Sequence, residues 1–553
     1  MDRRSFFRSV TGINETSQVS DVTLRANNGN RDRTKITSTL SPWIPDENHP
    51  WNTHSINHLY RRVGFGATLD EITVAKAKSP SQVIDGLLDN ALLSSGNMPA
   101  EPYKSDTWLH VGPYLGGDYD KQIQQQTAYS YANLEIRRDW TVQMAKANTM
   151  LREKLSLFWM NHFVIESIKV YYPQMMYRYL DYMRKNAWGN FKQMVKDVTI
   201  QPGMLIYLDG VQSYRTLPNE NYARELLELF AVGVADKDGN PNYTEPDIRD
   251  IAKALTGYRI RYDAPAPDVL PSYYEVTQHD ATFKTIFGVK KPWGLASAGV
   301  TDDVIDHIFE SKKDAIAWYI CSKLYQFFVY ADISGSAERA IIDAMASTFK
   351  NSNWELKPVL AELFKSEHFF DEANIGANIK SPYEYGVGLL RHFDIMPDRL
   401  QSGTLYYYTA AGGQILLDPP NVKGWPGYRA WISTTTLPYR NIAMAGQLMV
   451  SKSIPAYGGD GYGNTHTAIP LPDATVTAWA KKFPSYATAY YAFFDELCDY
   501  LCAQPPSQKA KQYVLDKVAL KDYEWLLIGD TERTIVVRGL VAGIMLLADY
   551  QLS

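Results

Sequence analysis

From Tyr119 to Ile165 the chain runs through 47 residues without a proline or a glycine. Strands average five or six residues and need turns between them, so this stretch has to be helical, as one long helix or two in series. The helical period continues on both sides. It covers Tyr172 to Asn186 and Asn190 to Ile200, with Trp188-Gly189 between them, and Pro218 to Val232, stopped by Gly233. Thr244-Glu245-Pro246-Asp247 reads as a capped helix start with proline in the first turn, and that helix is expected to end at Gly257. Helices resume over 301–330, 337–350, 356–366, 381–393 and 536–550. Residues 258–300 lose the period and are rich in Pro, Tyr and β-branched residues, which predicts short strands or an extended excursion. The fold class is therefore mainly α, a large multi-helix globular body with a small irregular or β insertion near 258–300.

Composition sets the organisation and removes some functions. Residues 1–45 are rich in Asn, Arg, Thr and Ser and are expected to be a disordered or extended arm. A helical core is expected over 46–453, a flexible Gly/Pro-rich connection over 454–472, and a C-terminal helical group packing on the core over 473–553. The net charge of −5 disfavours a nucleic-acid surface. The longest apolar run near the C-terminus, Gly539 to Ala548, is too short to span a bilayer, which takes about 20 residues. Arg3-Arg4-Ser5-Phe6-Phe7 looks like the start of a twin-arginine export signal, but the apolar segment that should follow is missing, which favours the cytoplasm. Three cysteines, Cys321, Cys498 and Cys502, cannot form a complete disulfide set.

Asn219 to Phe230 is the most informative segment. Asn221, Arg224, Glu225 and Glu228 share one helical face, with Ala223, Leu226, Leu227 and Phe230 opposite. Glu220, Glu225 and Glu228 can divide acid and base roles, Arg224 can clamp an anion, and Asn219 and Asn221 can bind beside them. The bland alternative is a solvated polar face with local ion pairs. His162 follows Leu151, Leu155, Phe158 and Trp159 on an apolar stripe, so it is a satisfied core histidine, a metal ligand or a proton carrier. His58 and Arg62 share the end of a helix stopped by glycines, where capping competes with binding. His279, Asp280 and Lys284 fall in the insertion as a loop pair with a nearby cation. Asp236, Asp238, Asn240 and Asp247 have the spacing of a weak calcium loop, with Pro241 where the sharp-turn glycine belongs. A divalent metal is thus a possible cofactor class.

Seven blocks occur in order: NHLYRRVGFG (57–66), FWMNHF (158–163), PNENYARELLELFAVG (218–233), YTEPDIRDIAKALTG (243–257), HDATFKTIFG (279–288), KSPYE from Lys380, and PPNVKGWPGYRAW (419–431), which contains Trp425. Together they resemble the bacterial "domain of unknown function 1800" family. The resemblance implies a large helical bacterial protein, export to the periplasm or cell surface, and company with sulfatase-like proteins of the "domain of unknown function 1501" family. It supplies no reaction. Three functions stay open: an interaction or scaffold protein acting with a partner, a metal-dependent or acid/base hydrolase centred on Asn219–Glu228 and His162, and a carbohydrate binder using some of the 38 Tyr and 13 Trp.

Overall fold

The structure is a computed structural model that describes residues 33–94, 119–262, 270–294, 301–395, 405–406, 408–440 and 471–553. The expected arm over 1–32 and the connection over 454–470 lie outside the described residues. Its principal helices are α1 (Thr53–Val63), α2 (Tyr119–Ala145), α3 (Met150–His162), α4 (Pro173–Lys185), α5 (Phe191–Ile200), α6 (Asn221–Glu225), α7 (Glu245–Ala254), α8 (Lys313–Phe328), α9 (Ser336–Asn351), α10 (Leu356–Phe364), α11 (Pro382–His392), α12 (Tyr490–Leu501) and α13 (Asp530–Met545). The protein is mainly α. Among the described residues the sheets are two small antiparallel pairs, β1 (Tyr258–Ile260) with β2 (Ser272–Tyr274), and β3 (Lys284–Ile286) with β4 (Val289–Lys291).

The proline-free stretch is two helices in series. The break between α2 and α3 carries neither Pro nor Gly. Lys146 is extended, and the Thr149 hydroxyl donates to the Gln143 carbonyl at 2.9 Å, satisfying an end of α2. The predicted helix over 301–330 is broken at Lys312 into Asp302–Ser311 and α8. No helix among the described residues is long and apolar enough to cross a membrane.

One continuous apolar core joins α1 to the C-terminal helices. Trp140, Trp159 and Trp188 are fully buried in it. Each large side chain of this kind contributes about 2–3 kcal/mol by leaving water. Polar ties fix the register between distant segments. The Tyr500 hydroxyl of α12 donates to Ala67 O at 2.8 Å, and the Trp479 indole donates to His392 O at 2.7 Å. Residues 33–45, part of the expected arm, lie against the body. Arg33 pairs with Glu338 at 2.8 Å, and Trp43 stacks on Phe370 with ring centroids 4.1 Å apart.

Candidate functional site

Three of the ordered blocks meet where α3 ends. After α6 the chain widens into a π-turn over Leu226–Phe230, closed by Ala231 N donating to Leu226 O at 2.9 Å. A π-turn releases carbonyls from the regular ladder, and such turns recur at functional sites. Two neighbouring helices take the carbonyls here. His162 Nε2 donates to Phe230 O at 2.8 Å, and the Tyr319 hydroxyl of α8 donates to Leu229 O at 2.9 Å. Because a carbonyl only accepts, His162 carries its proton on Nε2 and presents a bare lone pair on Nδ1, which has no partner among the described residues. The imidazole is 4% exposed and packed among Phe158, Trp159 and Phe163, and burial holds it well below its usual pKa, hence neutral.

The third block closes over α3. Asn161 accepts from Trp425 N at 2.6 Å and its amide donates to Trp425 O at 3.3 Å. Arg137 of α2 anchors the same loop through Leu416 O at 2.7 Å and an ion pair with Asp418. Trp425, expected as a binding residue, is therefore buried and held by its backbone.

The polar face of the 219–230 segment is where the helical period placed it, with Tyr222, Ala223, Leu226, Leu227 and Phe230 buried behind it. Arg224 lies at 2.9 Å from Glu245 through both terminal nitrogens and 3.4 Å from each of Glu220 and Glu228. Asn219 accepts from Asn221 N, and Asn221 donates to Asp209 at 3.3 Å. Glu225 differs from its neighbours. It is half-buried and, among the described residues, has neither a hydrogen bond nor an ion pair within 4.0 Å. Burial first, and the Glu228 charge second, push its carboxyl above the ordinary value of 4.5, against Lys423 and Arg224.

This shift has a pH consequence. A carboxyl with a raised folded pKa binds its proton more tightly in the folded than in the unfolded chain, so its contribution to stability declines as pH rises from about 4.5 through the folded value. Glu225→Gln removes that decline. We expect the variant to match the parent at pH 4 and to be at least as stable at pH 7, as read from urea midpoints at the two pH values. A loss of stability at pH 7 would mean that Glu225 is an ion-pair lock.

Lys323 is a residue that sequence reasoning missed. Half-buried on α8, it meets no acceptor and no carboxylate among the described residues, and its ammonium lies 5.1 Å from the Tyr319 ring centroid. Burial alone lowers its pKa to about 8. The available signal was its place on an aromatic stripe, with Tyr319 four residues before it and Phe327 four after.

The remaining candidates sit apart from this junction, each engaged locally. His58 Nε2 donates to Phe369 O at 2.8 Å. Arg62 donates to Phe328 O at 2.7 Å and Val329 O at 2.6 Å, capping α8 and not its own helix as the glycine stop implied. His279 Nδ1 lies 3.1 Å from Thr256 O, Asp280 accepts from Thr282 N at 2.8 Å, and Lys284 donates to Trp293 O at 3.1 Å, so the block fastens β3 to the end of α7. Lys380 donates to Tyr550 O at 2.6 Å. Asp236 Oδ1 accepts from the amides of Asp238 and Asn240, both at 2.9 Å, and the Asn240 amide turns toward Asp236. Asp247 caps α7 from Thr244 and accepts from Phe287 N at 2.9 Å. Both carboxylate oxygens of Asp236 and both of Asp247 thus accept from the chain's own donors. No group of three or more His, Cys, Asp or Glu side chains among the described residues is disposed to hold a metal ion.

Fold and site together define a mainly-α protein whose ordered polar motifs clamp distant helices around one half-buried carboxylate and one half-buried amine. More particularly, the chain belongs to the family described as Protein of unknown function (DUF1800), whose model matches residues 58–552, nearly the whole chain. No curated protein and no solved structure matches it.

Proposed function

We propose that the protein acts through a partner protein, as an interaction or scaffold component. The observation that carries this reading is an apolar face beside the Asn219–Glu228 block. Leu217 is 71% and Val276 70% exposed, with Tyr214 and Tyr273 exposed around them. The face is built, not frayed. Tyr214 and Leu217 exchange backbone hydrogen bonds, Arg215 N donates to Gln278 O at 2.9 Å, and Tyr273 pairs in register with Arg259, whose guanidinium lies 4.2 Å from the Tyr214 ring centroid. Exposed aliphatic side chains framed by aromatics and charged groups are the surface that protein interfaces use. The partner class that accompanies the resemblance is a sulfatase-like protein of the "domain of unknown function 1501" family.

The test is association of the purified chain with such a protein, measured by calorimetry. Leu217→Asp combined with Val276→Asp is expected to weaken the complex at least tenfold while leaving the unfolding midpoint in place. Equal affinity for parent and variant would sink the reading. Retention of a soluble polysaccharide that depends on Tyr214 and Tyr273, with no protein bound, would favour the carbohydrate-binding alternative.

Acid/base hydrolysis is the second reading, favoured by the raised, unpaired carboxyl of Glu225. Turnover that is lost in Glu225→Gln while its fold is kept would support it.

A further inference from the structure

A second set of buried groups lies far from the π-turn, around the segment Ala548–Gln551. Three cations reach it from separate parts of the chain. Arg61 of α1 donates through Nη2 to Tyr500 O at 2.5 Å. Lys380 donates to Tyr550 O and lies 4.0 Å from the Tyr550 ring centroid. Arg440 donates through Nε to the Gln551 side chain at 3.0 Å and through Nη2 to Lys380 O at 2.8 Å, with its guanidinium 5.2 Å from the Tyr385 ring centroid. His392 completes the group, its ring 5.3 Å from Tyr500 and 6.3 Å from Tyr550 by centroids. All four side chains are nearly inaccessible, at 4% or less.

Their donors are not all used. Among the described residues, Arg61 Nε and Arg440 Nη1 are buried without a partner, and so are both ring nitrogens of His392, one of which carries an N–H. None of the three cations has a carboxylate within 4.0 Å among the described residues. Glu384, an acidic group that Lys380 and Arg440 feel, is already in an ion pair with Lys154. Buried charges in proteins are paired, and a buried N–H without an acceptor is costly. Here like charges are also brought together. Burial and the neighbouring Arg61 and Arg440 charges drive Lys380 well below the usual lysine range, and burial brings Arg61 to about 10.

A single negative charge among these groups would answer the unused donors and the mutual repulsion together. We propose that Arg61, Lys380, Arg440 and His392 enclose a binding site for one small inorganic anion of halide size, beside the Tyr550 ring. An anion there would tie α1, the KSPYE block and residues 548–551 into one unit.

The test uses the full chain in urea at constant ionic strength, with sodium gluconate replaced stepwise by sodium chloride. A site filled only in the folded state makes the folding equilibrium constant rise about fivefold over the decade of chloride above half-filling, and close to tenfold per decade as the site saturates. Equal stability in gluconate and chloride would overturn the proposal. Lys380→Met keeps the apolar stem and removes the charge, and is expected to abolish the chloride dependence. An unchanged dependence would show that chloride acts elsewhere, which also overturns it. Should that variant not fold, crystals of the parent protein soaked in bromide decide the matter. An anomalous peak between Lys380, Arg61, Arg440 and His392 supports the site, and its absence there rejects it.

Discussion

Glu153→Ala is expected to cost about 3–5 kcal/mol, the range for leaving buried partners of an ion pair uncompensated. Glu153 lies on α3 and is fully buried. Its Oε1 accepts from Arg152 Nε at 2.9 Å and Arg184 Nη2 at 2.8 Å, and its Oε2 from Arg184 Nε at 2.8 Å and the Trp140 indole at 3.0 Å. One carboxylate thus satisfies donors from α2, α3 and α4. Truncation takes away the carboxylate that the two guanidinium groups share in the core, and orphans the Trp140 N–H. A methyl group recovers none of this. The urea midpoint should fall several times further than in an ordinary surface variant, and Glu153→Gln should recover only part, because an amide cannot accept at all four positions. A loss below about 1 kcal/mol in Glu153→Ala would mean that the arginines swing to solvent and that the core is looser than its packing implies.

That network also marks where sequence reading stops. Met150–His162 shows Arg152, Glu153 and Lys154 in succession, a run that looks like a wet face. All three are buried, because Glu153 and Lys154 meet partners that are distant in sequence. Arg184 is 31 residues away from Glu153, and Glu384 is 230 away from Lys154. Local period gives which residues share a face; it carries nothing about a partner that long-range packing supplies. The same limit explains Lys323 and Asn161, whose meaning depends on α8 and the 419–431 loop crossing the end of α3. By contrast, the two-faced Asn221–Phe230 segment and the capped start at Thr244–Asp247 were legible, since burial of alternate turns and a side chain bonding three residues away are local events. The π-turn was not legible, because Leu226–Phe230 has an ordinary helical composition and the widening follows from where His162 and Tyr319 take its carbonyls.

Gly424→Ala tests that junction directly, and about 2–4 kcal/mol of destabilisation is expected. Gly424 has φ +78°, a left-handed conformation that alanine adopts only at a cost. Space is the larger difficulty. A methyl group there would stand 2.5 Å from the Asn161 carbonyl oxygen and closer still to its side-chain oxygen. Backbone on α3 cannot retreat, since Phe163 N is bonded to Trp159 O at 2.7 Å and His162 is fixed on Phe230 O. The loop must therefore move, and with it go both hydrogen bonds between Asn161 and Trp425, together with the burial of the Trp425 ring. Lys423, which with Arg224 opposes the raised carboxyl of Glu225, moves as well. The variant should consequently show a lower urea midpoint, a red-shifted tryptophan emission and a steeper loss of stability between pH 4 and pH 7 than the parent. If the midpoint falls but the pH dependence is unchanged, the loop does not tune Glu225. A parent-like midpoint would show that the loop closes over α3 less tightly than the Asn161 contacts require.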